Sequence, residues 1–408
     1  MAGNNNATVA MPGQQNWAMW WQWSEFDNFQ LDIVGFLALL GEGAVLANAQ
    51  VSALSRLFLL PRLLPAPQAL IRTTRPTALP CTNASVTGVH SGNVKSHVYH
   101  VANVLLGANS AMQPFTVRCV EVKVKESVRQ PVSFLDRFFR GQPGHADDNA
   151  LSPLVKAKAT GPQTWVTLLG VAESLFLLAA SITFGDGMSL LATISLSLLS
   201  TVVGVCNKWT LRLPKTASKY PPGDLVIRYP NGSFLVVKCE EIVARALYFA
   251  PEEIDYYIQH PVAYQMLSLL GTILLMLGIV FLANAKLQLQ FGWAGAYVLI
   301  NIAHWIAAAR PEGSHWDLTC FDVAEQHVKG DGPFANFTLA LWEAIRITKS
   351  VQWVKAGAAA PQTTVWNEWL YTAEKKANDK DGPGVWDAKK EFDELIAAGG
   401  PASNGQAG

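Results

Sequence analysis

In a soluble chain apolar positions recur every second residue in strands and every third or fourth in helices, because one face of each element meets water. Four stretches here lack that alternation. Residues 163–184, 187–206, 262–285 and 287–309 are apolar almost without interruption. Each reaches the roughly 20 residues that a helix needs to cross the hydrocarbon core of a bilayer, so each predicts a transmembrane helix. Residues 31–54 form a fifth candidate span, interrupted by Asp32 at its start and Glu42 in its interior.

Between the apolar runs the pattern changes. Residues 55–71 (SRLFLLPRLLPAPQALI) are apolar but broken by prolines and carry Arg56 and Arg62, which predicts a segment lying at the membrane interface. The stretch 82–130 is rich in β-branched residues. HVYHVANVLL reads as strand, and in FTVRCVEVKVKESV the residues Val120, Val122 and Val124 alternate with Glu121, Lys123 and Lys125, a period of two. In the next loop DLVIRY and SFLVVKC flank Pro230-Asn231-Gly232. That spacing predicts a β-hairpin, with a type I′ turn at Asn231-Gly232. A lone hairpin is marginal in water, so pairing with the strands of 82–130 into one small sheet is expected. Residues 242–249 then read as a short helix, Pro251 breaks it, and 252–259 read as a second. Three helices are predicted near the C-terminus, over 334–356, 363–378 and 385–398.

Charge orients these elements. The chain of 408 residues carries 31 basic and 31 acidic residues, and only 15% of it is charged while 50% is apolar. That balance excludes an intrinsically disordered chain and a nucleic-acid binder working through bulk positive charge. No Lys or Arg occurs in the first 50 residues, so the basic start of a secretory signal peptide is missing. Instead Trp17, Trp20, Trp21 and Trp23 precede the first apolar run, as in an interfacial aromatic belt. Thirty of the 31 basic residues lie in 51–162, in 207–261 or beyond 309. Five spans place all three segments on one face, and the excess of Lys and Arg marks that face as cytosolic.

The expected fold is therefore membrane α-helical, with about five transmembrane helices, a small cytosolic α+β module and a helical C-terminal tail. In chain order it comprises an outer N-terminal tail (1–30), a first span (31–54), a cytosolic loop with a β-rich segment (55–162) and a helical hairpin (163–206). A β-hairpin with short helices (207–261), a second helical hairpin (262–309), a cytosolic helical tail (310–398) and a disordered end (399–408) follow. The partners implied are the lipid bilayer and cytosolic proteins docking on the loop module and tail, with no nucleic acid.

Candidate chemistry lies inside the bilayer, where ionisable groups are costly and are functional suspects. Glu42 falls in the first apolar run, Glu173 in the middle of the second (GVAESLF), and His304 in the last (NIAHWIA), one turn after Asn301. Low dielectric favours the protonated acid. Two acids and an imidazole facing one cavity would relay protons, bind a cation or protonate an apolar substrate. The alternative is that each is a neutral hydrogen-bonding group between helices. Other signals are weaker. His97 and His100 would point to opposite faces of a strand. His315-Trp316-Asp317 fits an interfacial anchor. The five cysteines are scattered, without a C-x-x-C, so neither a disulfide framework nor a structural zinc site is expected. No phosphate-binding glycine loop, dinucleotide fingerprint or hydrolase elbow occurs, so no cofactor and no metal are expected.

Four stretches carry a resemblance: PPGDLVIRYPNGSFLVVKCEEIVARALYF, the helical hairpin after it, HWDLTCFD, and TKSVQWVKAGAAAPQTTVWNEWLYTAE. From about Gln163 onward the chain resembles a family of multi-pass membrane proteins of filamentous fungi, some of which are thought to accompany secondary-metabolite gene clusters. The resemblance implies an accessory role and brings no catalytic motif. The expectation is a non-catalytic accessory or scaffold protein. The alternative is a membrane-embedded enzyme acting on a lipid or terpenoid-like substrate, with Glu42 or Glu173 as acid. A proton-coupled carrier fits less well, because five spans without inverted repeats are not its architecture.

Overall fold

A computed structural model of the chain describes residues 42–72, 74–107, 112–125, 155–212, 222–326, 328, 333–379 and 386–398. In chain order the elements are α1 (Glu42–Leu54), β1 (Thr82–Gly88), β2 (Val94–Val98), α2 (His100–Leu106), β3 (Val117–Val124), β4 (Lys156–Ala157), α3 (Pro162–Thr183) and α4 (Gly187–Asn207). They continue with β5 (Trp209–Arg212), β6 (Leu225–Arg228), β7 (Phe234–Cys239), α5 (Glu241–Ala244), β8 (Glu253–Tyr256), α6 (Pro261–Ala283) and α7 (Leu287–Ala308). The last are β9 (Trp316–Asp317), β10 (Phe321–Gln326), α8 (Phe337–Thr348), α9 (Gln352–Ala356), α10 (Thr364–Ala377) and α11 (Ala388–Ala398).

Helices α3, α4, α6 and α7 are long and apolar enough to cross a membrane, which marks the chain as a membrane protein. At about 1.5 Å per residue they span roughly 30–35 Å. Proline opens α3 and α6, where the missing N–H would find no helical partner anyway. Short turns join α3 to α4 and α6 to α7; α3 packs on α4 and α7, while α4 packs on α6 and α6 does not pack along α7. Small β pairings brace the same partners at one end. Strand β4 pairs with β9, tying the start of α3 to the end of α7, and β5 pairs with β8, tying the end of α4 to the start of α6. At the far end Asp186 accepts from the N–H groups of Met188 and Ser189, capping α4, and from the N–H of Lys286 at 2.7 Å. The Lys286 ammonium donates to the Phe184 carbonyl. One carboxylate thus fastens the two outer turns together.

Of the fifth candidate span, 31–54, the described part is α1, a helix of 13 residues. Residues 31–41 and the tail 1–30 lie outside the described residues, as do the end 399–408 and the orientation that the tail was to set. The C-terminal end of α1 is held by neighbours. Ser52 Oγ donates to Gln163 Oε1 at 2.8 Å, Trp209 Nε1 to the Gln50 carbonyl, and Lys208 Nζ to the Leu54 and Ser55 carbonyls.

On the side of the membrane where α3 begins and α7 ends lies a six-stranded sheet of order β10-β3-β7-β6-β1-β2. All its pairings are antiparallel except β3 with β7. The β6–β7 hairpin sits where expected, but its turn differs. Gly232 has φ +80° while Asn231 is not in the left-handed region. Tyr229 N–H donates to the Ser233 carbonyl, and Gly232 N–H to the Tyr229 carbonyl. This is a three-residue loop of type I followed by a left-handed glycine. Pro230 explains it, because its fixed φ suits the first central position of a type I turn and not the positive φ of type I′. A Cβ on Gly232 would lie 2.8 Å from the Phe115 ring. Gly232→Val is therefore expected to cost about 2 kcal/mol or more, read as a lowered melting temperature of the purified protein.

The sheet has two buried faces. Leu225, Ile227, Leu235 and Val237 join a core that continues into the membrane helices through Val203 and Leu199. Val226, Phe234 and Val236 meet the C-terminal helices through Leu341, Ile345, Trp353 and Trp369. The predicted tail is thus the outer layer of the module, and β10 adds an edge strand to the sheet. The expected helix over 334–356 is divided into α8 and α9, with Lys349 in the left-handed conformation between them (φ +53°). The expected helix over 252–259 is instead strand β8, in which Ile254 and Tyr256 are buried and paired against Leu211 and Trp209. HVYHVANVLL splits into strand and helix. Strand β2 stops at Val98, and α2 starts at His100 and ends at Gly107 (φ +56°).

Glu252 sits at the start of α2. Its carboxylate accepts from the Val101 N–H at 3.1 Å, and the residue is 4% exposed. Burial pushes its pKa up to about 7, although the N–H groups of Val101 and His100 pull the other way. The folded protein therefore holds a proton that the unfolded chain releases near 4.5, and stability falls as pH rises from about 4.5 to about 7. Glu252→Gln is expected to flatten that fall and to stabilise the protein at pH 8 by up to about 3 kcal/mol. Melting temperatures of both proteins at pH 5 and pH 8 check this; parallel curves refute it.

Candidate functional site

The segment between α1 and β1 does not lie along the interface as its sequence predicts. It enters the bundle. Leu63 N–H donates to the Gly170 carbonyl, Arg62 N–H to Ser200 Oγ, and Ala66 N–H to the Tyr297 hydroxyl at 2.9 Å. Gly170 is the ninth of 22 residues in α3 and Tyr297 the eleventh of 22 in α7. The segment therefore reaches close to mid-membrane before returning. Irregular backbone survives at that depth only when protein surrounds it and every N–H has a partner. Pro61, Pro65 and Pro67 have no N–H to satisfy, and the three bonds just named serve N–H groups between and beside them. Two glycines make room. A Cβ on Gly170 would lie 2.7 Å from the Leu63 carbonyl oxygen, and one on Gly204 would lie 2.6 Å from that of Phe58.

Arg62 is 4% exposed within this segment. Its Nη1 donates to the Phe58 carbonyl at 2.8 Å, and its guanidinium stands 4.6 Å above the Phe58 ring. It satisfies carbonyls of its own turn, and no carboxylate among the described residues pairs with it.

At the tip of the segment lies a cavity of about 190 Å³. The segment contributes Leu63, Leu64, Pro67 and Gln68 to its wall, α4 contributes Leu196 and Leu199, and α6 contributes Leu275 and Ile279. Helix α7 closes it with Trp293 and Tyr297. The Trp293 side chain is buried, and its indole N–H has no hydrogen-bond partner among the described residues. Of the ten lining residues only Gln68 is exposed, while Leu275 and Ile279 are half-buried. The cavity thus opens between the segment and α6. Helices α6 and α7 are joined by a short turn but are not packed along their lengths as α4 and α6 are.

Glu173 and His304 do not converge on this space. Glu173 is 8% exposed, and both its carboxyl oxygens are buried without a partner among the described residues. A Cβ on Gly170 would touch Ile300, and one on Gly292 would touch Leu177. That register between antiparallel helices sets Glu173 at the level of Ala296 and Tyr297. His304 lies near the other end of α7, beyond Ile300 on the side of the sheet. The two are about 10 Å apart along the bundle axis at 1.5 Å per residue. The Nδ1 of His304 is also buried without a partner among the described residues. Asn301 donates to the Tyr297 carbonyl, one turn back. Glu42 begins α1, and its side chain lies outside the described residues. Glu173 therefore shares its depth with the cavity wall but does not line the cavity, and it does not meet His304.

Of the weaker signals, His97 and His100 fall on different elements, strand β2 and helix α2. Trp316 is buried against the His100 ring at 5.3 Å. No group of three or more His, Cys, Asp or Glu side chains is placed to hold a metal ion among the described residues.

No protein-family model, curated protein or solved structure matches the chain.

The sequence reading missed Trp293, Tyr297 and the re-entrant course of residues 55–71. The signal was present in the prolines at 61, 65 and 67 within an apolar run and in the glycines at 170 and 204. Single prolines and glycines are ordinary in membrane segments, and only their juxtaposition in space gives them meaning.

Proposed function

We propose that the protein is a non-catalytic membrane scaffold, an accessory factor that holds its α/β module against the bilayer for partner proteins. The observation that supports this reading most is the rigid joint between module and spans. One hydrophobic core runs from the sheet into the helices. Arg75 bonds the Cys206 and Ile258 carbonyls, at the end of α4 and just before α6, and lies between the rings of Tyr256 and Tyr264 at 4.0 and 4.2 Å. The separation of Glu173 from His304 points the same way, because a catalytic pair needs mutual reach. The module faces the cytosol in this reading, from the partition of the basic residues, and the setting is secondary metabolism in a filamentous fungus.

A second reading, an enzyme acting on a lipid or terpenoid-like substrate, draws on the unpartnered Glu173 at the depth of the cavity. Deletion of the gene with untargeted metabolite profiling, followed by complementation, separates the two. A scaffold is restored by Glu173→Gln and by His304→Asn and is lost on removal of α8–α11. An enzyme using Glu173 is not restored by Glu173→Gln. Protease accessibility of a C-terminal tag in sealed vesicles tests the orientation.

A further inference from the structure

We infer that the protein forms a symmetric dimer in which β10 pairs antiparallel with β10 of a second copy, in register at Val323, joining two sheets into one. The pairing holds for a scaffold and for an enzyme alike. Strand β10 is one edge of the sheet, and its residues 322–325 are exposed. Its register with β3 is regular from Phe321 to Gln326. The Lys125 N–H donates to the Cys320 carbonyl, which fixes the phase of that ladder. Asp322, Ala324 and Gln326 therefore bond β3, while Phe321, Val323 and Glu325 turn their backbone groups outward. The Phe321 N–H is taken by the Leu318 carbonyl. The other outward groups meet no strand among the described residues, and such an edge is a template for another strand. The opposite edge is poorer. Strand β2 has five residues, and its pairing with β1 shifts register between Asn83 and Val86.

What makes the occupant a second copy is that β10 is complementary to itself. With Val323 opposite the partner's Val323, each Val323 N–H meets the other Val323 carbonyl, and each Glu325 N–H meets the other Phe321 carbonyl. Asp322 then faces the partner's Ala324, so no like charges stand directly opposite. Centring the pair on Asp322 or on Glu325 would set like charges against each other. Within the chain Glu325 is compensated by Arg118 at 3.0 Å and Asp322 by Lys125 at 4.0 Å, so the edge does not repel its copy. Val323 lies beside the buried Val122 yet is 38% exposed, and the partner's Val323 covers it.

The membrane allows this symmetry. Two copies with the same orientation in one bilayer are related by a two-fold axis along its normal, and antiparallel strands of one sheet by a two-fold perpendicular to the sheet. One face of the sheet joins the core that runs into the spans, and the C-terminal helices cover the other. The chain also reaches opposite ends of the strands from the spans. It arrives at Phe321 shortly after α7, and at Thr82 soon after Arg72, whose carbonyl accepts from the Tyr264 hydroxyl of α6. The sheet therefore lies across the bundle, with its perpendicular near the membrane normal.

The test counts copies of the full-length protein in liposomes, by single-molecule photobleaching of a C-terminal label as the protein is diluted in lipid. Two bleaching steps are expected, giving way to one at high dilution. Val323→Pro removes the outward N–H and leaves the bonds to β3 intact, so it is expected to raise the dimer dissociation constant about tenfold or more. Crosslinking reads the register. In a Cys81→Ser background, Val323→Cys is expected to give a disulfide-linked dimer on mild oxidation, since a hydrogen-bonded pair holds its Cα atoms about 5.5 Å apart. Val94→Cys, on the β2 edge, should stay uncrosslinked. Single-step bleaching at every density overturns the dimer. A dimer that ignores Val323→Pro and fails to crosslink through Val323→Cys lies elsewhere on the surface and overturns this interface. Should Val323→Pro fail to fold, the contrast between Val323→Cys and Val94→Cys decides alone.

Discussion

Gly170→Val and Gly204→Val are each expected to lower stability by about 2–3 kcal/mol, the largest effect of any glycine substitution in the spans. Two costs compete. The new side chain is forced against backbone, 2.7 Å from the Leu63 carbonyl oxygen at Gly170 and 2.6 Å from that of Phe58 at Gly204. Overpacking of that kind costs about 1–3 kcal/mol where nothing can yield, and backbone yields less than a side chain. If the segment retreats instead, the Leu63 N–H loses the Gly170 carbonyl, and a buried donor left unpaired costs about 1–3 kcal/mol. Other glycines supply the controls. Gly278→Ala meets only the Leu196 side chain, which can rotate, so its cost is smaller. Gly295 has nothing within 4 Å, so Gly295→Ala is expected to be neutral or stabilising, since alanine is the better helix former. Thermal melting of the four variants in detergent should rank them in that order. If Gly170→Val and Gly204→Val melt with Gly295→Ala, the segment does not run between α3 and α4.

The same glycines show how far the sequence could be read. The spans were legible because twenty apolar residues in a row have few alternatives, and the β6–β7 hairpin because turn residues between two β-rich runs are a local signal. What failed was non-local. Residues 252–259 read as helix from composition, yet they pair as a strand because Trp209–Arg212 emerge beside them from the end of α4. Lys349 splits a helix that composition alone would continue. The turn at Pro230-Asn231-Gly232 was misread for a local reason, since the proline outranks the Asn-Gly pair in choosing the turn type. At the site, Glu173 and His304 stood out because charge in an apolar run is visible in one dimension. Trp293 and Tyr297 did not, because an aromatic in a span is ordinary until its neighbours are known. The residues that build the cavity come from three helices and a loop, and no spacing in the chain links them.

Glu173→Leu is expected to stabilise the folded protein by about 1–3 kcal/mol, with Glu173→Gln neutral or slightly destabilising. The wild-type side chain buries both carboxyl oxygens without a partner among the described residues, and each buried polar atom left unsatisfied costs about 1–3 kcal/mol in its own right. Leucine has a similar length, removes both atoms and suits the lipid-depth packing against α7. Glutamine keeps one unsatisfied acceptor and adds donors. The order Leu, wild type, Gln in melting temperature therefore identifies an uncompensated polar group, whereas a carboxyl serving as a helix contact gives the reverse, with leucine lowest. The same pair of variants speaks to function. In a scaffold both variants restore the deletion phenotype, and the leucine protein is simply the sturdier one. If the leucine and glutamine proteins both fold, and leucine melts higher, yet neither restores the metabolite profile, then the acid is kept at the expense of stability because chemistry needs it. That result would move the reading from scaffold to membrane-embedded enzyme, with Glu173 the proton donor at the depth where Tyr297 and Trp293 form the cavity wall.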